Sequence, residues 1–98
     1  MSDRRTVLKN EFGHLQLQPF GDEWMVHLEL YKWSADCYKA YLVVFEQLML
    51  EMKEQGVNRV FVLIPATDKK LIKFEKMFGF QPLHEQDDML LMYRETGE

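Results

Sequence analysis

The chain has 98 residues, 47% of them hydrophobic and 13% aromatic, with a formal net charge of −4 at pH 7. The composition excludes an intrinsically disordered chain, and the length excludes more than one sizeable core, so residues 1–98 are expected to form a single domain. The acidic balance excludes a broad phosphate-binding surface, so no nucleic-acid partner is expected.

Residues 1–12 open with Ser2-Asp3-Arg4-Arg5 and carry Val7-Leu8 as an isolated apolar pair; they read as a tail or a poorly anchored first strand. His14-Leu15-Gln16-Leu17-Gln18 alternates with period two and reads as a strand. Pro19-Phe20-Gly21-Asp22 reads as a turn, and Trp24 to Trp33 as the second strand of an antiparallel hairpin. Trp24, Val26, Leu28 and Leu30 share one face of it; Met25, His27, Glu29, Tyr31 and Trp33 share the other.

Ser34 and Asp36 are N-cap candidates. The helix that follows is expected to run from Ala35 or Asp36 to Gln55, stopped by Gly56. Its apolar face, dense between Ala40 and Met52, is wider than one sheet contact requires. It reads either as a central helix held between sheet and neighbours or as a helix whose second face meets a partner. Val57 to Ile64 is rich in β-branched residues and reads as an interior strand buried on both faces. Pro65 ends it, and Thr67 or Asp68 caps a second helix over Lys69 to Phe78. Leu71, Ile72, Phe74 and Phe78 form its inner region, with Glu75 beside them. Lys69, Lys70, Lys73 and Lys76 read as its solvated face. Gly79 stops this helix and Phe80 enters the core. Gln81–Glu85 and Met89–Glu95 are the last two strands, joined by a turn at Gln86-Asp87-Asp88. The fold class is therefore α/β: a mixed sheet of about five strands with two helices, in the order β-β-α-β-α-β-β.

The single cysteine, Cys37, has no partner for an internal disulfide, which fits a reducing cytoplasm. The charged start does not read as a signal peptide, and no apolar run is long enough to span a membrane. His14, His27 and His84 show no metal-ligand spacing with one another or with Cys37, so no metal is expected.

The helix ending Lys73-Phe74-Glu75-Lys76-Met77-Phe78-Gly79-Phe80, together with the element order, resembles the C-terminal two-thirds of the GNAT family of N-acetyltransferases, over roughly residues 14 to 96. The resemblance extends to small GNAT-like proteins of tailed bacteriophages. It implies an acetyl-CoA pyrophosphate loop, rich in glycine, between the hairpin and the first helix. Here that segment is Lys32-Trp33-Ser34-Ala35-Asp36-Cys37-Tyr38-Lys39-Ala40. It has no glycine and places Asp36 where phosphate would lie; Lys32, Ser34 and Lys39 are its possible phosphate contacts. The resemblance also implies a tyrosine four residues before Gly79, where this chain has Glu75, and a general base on the second hairpin strand, where it has Glu29.

Two functions follow as expectations. The leading one is a non-enzymatic, degenerate acetyltransferase-like module with no cofactor. It would bind a protein partner or a second copy of itself through Trp24, Tyr31, Trp33, Tyr38 and Tyr41, as a phage structural component or effector in the host cytoplasm or virion. The alternative is a minimal acetyl-CoA-dependent N-acyltransferase with Glu29 as general base and Glu75 as a second catalytic carboxyl.

Overall fold

The computed structural model describes residues 4–32 and 34–97. Six strands form one sheet: β1 (Arg5–Lys9), β2 (Gly13–Phe20), β3 (Glu23–Leu30), β4 (Arg59–Pro65), β5 (Gln81–Gln86) and β6 (Met89–Glu95), in the spatial order β1-β2-β3-β4-β6-β5. Helix α1 (Ala35–Glu54) crosses between the parallel strands β3 and β4, and α2 (Lys69–Met77) joins β4 to β5. The mixed α/β order is the expected one with a strand added at the front. That strand, β1, pairs antiparallel with β2 although four of its five residues are exposed. Its anchor is the ladder, since its own side chains bury little.

The register of β2 against β3 sorts the two faces. Leu15 opposes Leu28 and Leu17 opposes Val26, and these side chains enter the core with Leu30. His14 opposes Glu29 and Gln16 opposes His27 on the other face. The core face continues through Val60, Val62 and Ile64 of β4 and Leu90 and Met92 of β6. Tyr41, Phe45, Leu48, Met49 and Met52 of α1 pack on it, and Phe78 at the end of α2 meets Phe45 edge-on at 5.4 Å between ring centroids. Burial of each such side chain contributes about 1.5–3 kcal/mol. Both helices thus lie on one face.

No described helix covers the opposite face. For that reason Leu63 is 47% exposed, where an interior strand buried on both faces was expected. Phe61, on the same face, is buried because Phe20 packs against it at 5.4 Å and the Arg59 guanidinium lies over its ring.

Local signals in the sequence set the element ends. Ser34 caps α1 by accepting the Cys37 N–H at 3.2 Å, and Asp68 caps α2 by accepting the Leu71 N–H at 3.0 Å. Strand β3 stops at Leu30, short of the expected Trp33, because its partner runs out at Gly13 and the chain must turn toward the Ser34 cap. Trp33 lies outside the described residues. Asp87 and Asp88 both adopt positive φ, the conformation a two-residue hairpin turn demands. Gly79 has φ +91°, which favours glycine, and a Cβ there would stand 3.1 Å from the Arg94 side chain, which would have to shift by a few tenths of an ångström.

Candidate functional site

The parallel pairing of β3 with β4 is short. Trp24 opposes Val60 and Met25 opposes Phe61, and no pair follows, although β3 continues to Leu30 and β4 to Pro65. Beyond Met25 the two strands part in mid-sheet. The edge of β3 there presents main-chain N–H and C=O groups without a neighbouring strand.

A cavity of about 230 Å³ opens where the strands part. Val26 to Glu29 of β3 and Val62 to Pro65 of β4 form its walls, His14 and Gln16 reach it from β2, and Leu71 and Glu75 from α2. His27 hydrogen-bonds the Gln18 side-chain oxygen through Nε2 at 2.6 Å. Burial, and then the Arg4 charge, hold its imidazolium pKa below the usual value, so at neutral pH the ring is uncharged, with Nε2–H donating. His14 contacts the Thr6 hydroxyl at 2.9 Å. Glu29 is exposed at this cavity.

Glu75 is in a different environment. Leu71, Phe74, Glu75 and Phe78 follow the spacing of one inward helical face, so the carboxyl occupies a core position and is only 3% exposed. Burial pushes its pKa up to about 8, and it is protonated at neutral pH.

A second cavity, about 650 Å³, lies between the start of α1 and α2. Leu30, Ala35, Tyr38, Phe74 and Met77 give it an apolar wall, and Lys70 and Lys73 stand at it with Ser34 and Asp68. The Tyr38 hydroxyl donates to the Met77 carbonyl at 2.9 Å and ties α1 to α2 across this wall.

The structure therefore brings Glu29 and Glu75 to one cavity and places Ser34 at the other. Lys32 and Lys39 are exposed and line neither. The cations at the larger cavity are Lys70 and Lys73, which the sequence presents as a solvated helix face; their site exists only because α1 starts beside α2. The aromatic residues do not form one surface. Tyr41 is 1% exposed with its hydroxyl donating to Asn10 Oδ1 at 2.9 Å, so it is core and not a contact residue. Trp24 is half-buried beneath the Arg5 guanidinium, Tyr38 walls the larger cavity, and Tyr31 is exposed. Among the described residues no cluster of histidine, cysteine or carboxylate side chains could hold a metal ion, and no helix is long and apolar enough to cross a membrane.

Solved structures share this architecture. A PaiA N-acetyltransferase from Thermoplasma acidophilum in complex with coenzyme A superposes with a TM-score of 0.67 at 17% identity, over 86% of this chain and 53% of that one. The N-acetyltransferase PseH of Campylobacter jejuni gives 0.65 at 13% identity, over 86% and 59%. A spermidine N-acetyltransferase chimera built from the Vibrio cholerae enzyme gives 0.70 at 10% identity, over 96% and 66%. The fold is that of the GNAT acetyltransferases. The chain spans roughly half to two-thirds of the length of these GNAT structures. No protein-family model matches the sequence, and no curated protein matches it.

Proposed function

We propose that the chain transfers an acyl group from an acyl-CoA thioester to an amine. The observation that carries this reading is the parting of β3 from β4 between two cavities, one walled by apolar side chains and lysines, the other holding Glu29. The unpaired edge of β3 can hydrogen-bond the amide-bearing arm of coenzyme A as a strand would bond its neighbour. Lys70 and Lys73 supply charge for its phosphates, and the wall formed by Leu30, Phe74 and Met77 supplies apolar contact. Asp36, in the first turn of α1, opposes phosphate there, so the fit rests on α2 more than on the loop before α1. When bound, the acyl-CoA supplies the activated thioester. Glu29 takes the proton of the acceptor amine, directly or through a water molecule, and His27 and Gln16 beside it orient the acceptor. The GNAT structures that share the fold favour this reading over a module without catalysis.

The test is release of free thiol when purified protein meets acetyl-CoA and a panel of primary amines. Turnover lost in Glu29→Gln with the fold intact supports the reading; absence of turnover with every amine counts against it. A second reading, a protein-binding module of phage or other origin, draws on Val43 and Leu50, which are 71% and 51% exposed on α1. Capture of a defined partner, lost on Val43→Glu, would favour it.

A further inference from the structure

Two opposite charges line the smaller cavity without pairing. Among the described residues the ion pairs are Arg59 with Glu23 and Arg94 with Glu46, so Arg4 and Glu29 have no such partner there, although both line this cavity. The two histidines of the same wall are engaged with neighbours, His14 with Thr6 at 2.9 Å and His27 with Gln18 at 2.6 Å. Strand register keeps the two charges apart. Glu29 opposes His14, and in the next row of the same face Gln16 stands between His27 and Thr6. Arg4 precedes Arg5, which opposes Leu17, so it falls one row further on, beside Gln18. From the His14 row to the Gln18 row the backbone advances about 13 Å, at roughly 3.3 Å per residue. The long side chains shorten that gap without closing it to an ion pair. The Arg4 charge still reaches the cavity, because it acts on His27. Leu63 and Ile64 line the same space and offer it apolar surface.

We infer that the acceptor is an amine bearing a carboxylate several bonds away, with its nitrogen at Glu29 and its carboxylate on Arg4. This assignment rests on the acyl-transfer reading above and names the substrate class of that site. A guanidinium matches a carboxylate with two parallel hydrogen bonds, and its single charge balances the single charge of that group. A diamine of the same length would bring its second ammonium against Arg4, and a plain alkylamine would leave Arg4 without a partner. An α-amino acid is too short to reach both ends; a flexible chain of several methylenes spans them and lies along Leu63 and Ile64. In the transfer, the neutral amine nitrogen bonds the thioester carbonyl carbon and the carbon–sulfur bond breaks. The amine proton passes to Glu29 and then to water, the thiolate takes a proton from water, and the carboxylate stays unreacted on Arg4.

The experiment measures acetyl transfer from acetyl-CoA to four acceptors: glycine, 6-aminohexanoate, n-pentylamine and 1,6-diaminohexane. The unmodified chain is expected to favour 6-aminohexanoate over each of the others by about ten-fold or more in kcat/KM, chiefly through KM. In Arg4→Gln that preference is expected to collapse, and in Arg4→Glu to pass to the diamine; Arg4→Lys, which keeps the charge, is expected to recover part of it. Proton NMR of the histidine rings gives a readout without turnover. A carboxylate seated on Arg4 cancels the charge that acts on His27, so 6-aminohexanoate, but not n-pentylamine, is expected to raise the His27 midpoint. Turnover without a preference for the carboxylate-bearing amine, or a preference that survives Arg4→Gln, would overturn the assignment and leave acyl transfer standing. Failure of the unmodified chain to acetylate any of these acceptors or any amine of the wider panel would overturn both.

Discussion

Glu29 and Glu75 open onto one cavity, the first from the uncovered face of the sheet and the second from the buried face of α2. The same residue type therefore meets two environments within one small volume. Burial is what keeps a proton on Glu75 at neutral pH. Any account of the site has to explain both.

Glu29→Gln is the most direct test of the base. The residue is exposed, so replacement should leave thermal stability within about 0.5 kcal/mol of the original. Acyl transfer should fall by about 10²- to 10⁴-fold. Steady-state rates on a variant with an unchanged melting curve check this; a fully active variant would remove Glu29 from the chemistry.

Glu75 makes stability depend on pH. Its native pKa of about 8 lies above the ordinary 4.5. Between those values the unfolded chain is ionised at this site while the native one is not. Its contribution is thus fully present below pH 4.5, declines as pH rises, and is lost above pH 8. Glu75→Gln should stabilise the protein by about 3 kcal/mol at pH 7 and by little at pH 4.5. Urea unfolding of both proteins across that range measures the difference.

Asp36 is the residue of the first turn of α1 that disfavours phosphate. Asp36→Asn should tighten acetyl-CoA binding several-fold while removing a favourable charge–dipole contact of about 0.3–1 kcal/mol from the helix. Titration and melting of the variant should therefore move in opposite directions. Lys73→Ala should weaken the same binding.

A different ion pair holds the two helices to the sheet. Arg94 of β6 is 7% exposed at its side chain and bonds Glu46 of α1 at 2.6 and 3.0 Å, and it also donates to the Phe78 carbonyl at 2.9 Å. Glu46→Ala strands a buried guanidinium and should cost about 2–3 kcal/mol. Arg94→Met removes the buried charge itself and leaves Glu46, which is half exposed, to water, so it should cost less. Denaturant midpoints for the two variants decide the order.

The sequence declared those features whose physics is local. Leu15 and Leu17 alternate with polar neighbours, Ser34 and Asp68 are caps, and Gly79-Phe80 marks a helix stop and a core entry. Strand β1 was hard to read because its evidence lies in its pairing with β2, not in its own exposed side chains. The overrun of β3 toward Trp33 came from continued aromatic patterning past the point where its partner strand ends. Tyr41 resembled a contact residue until Asn10, distant in sequence, was seen to satisfy its hydroxyl. The site divides in the same way. Glu29 and Glu75 were singled out through the resemblance to GNAT proteins, by their places on the second hairpin strand and four residues before Gly79. Lys70 and Lys73 were not, because only the packing of α1 beside α2 turns an ordinary lysine face into the edge of a cavity.

The central claim is that the parted strands receive an acyl-CoA. Calorimetric titration of the purified chain with acetyl-CoA, with coenzyme A as control, tests it most directly. Saturable binding in the micromolar range, weakened by Lys73→Ala, is the expected result. No heat of binding up to millimolar ligand would contradict the account and direct attention to Val43 and Leu50 on α1.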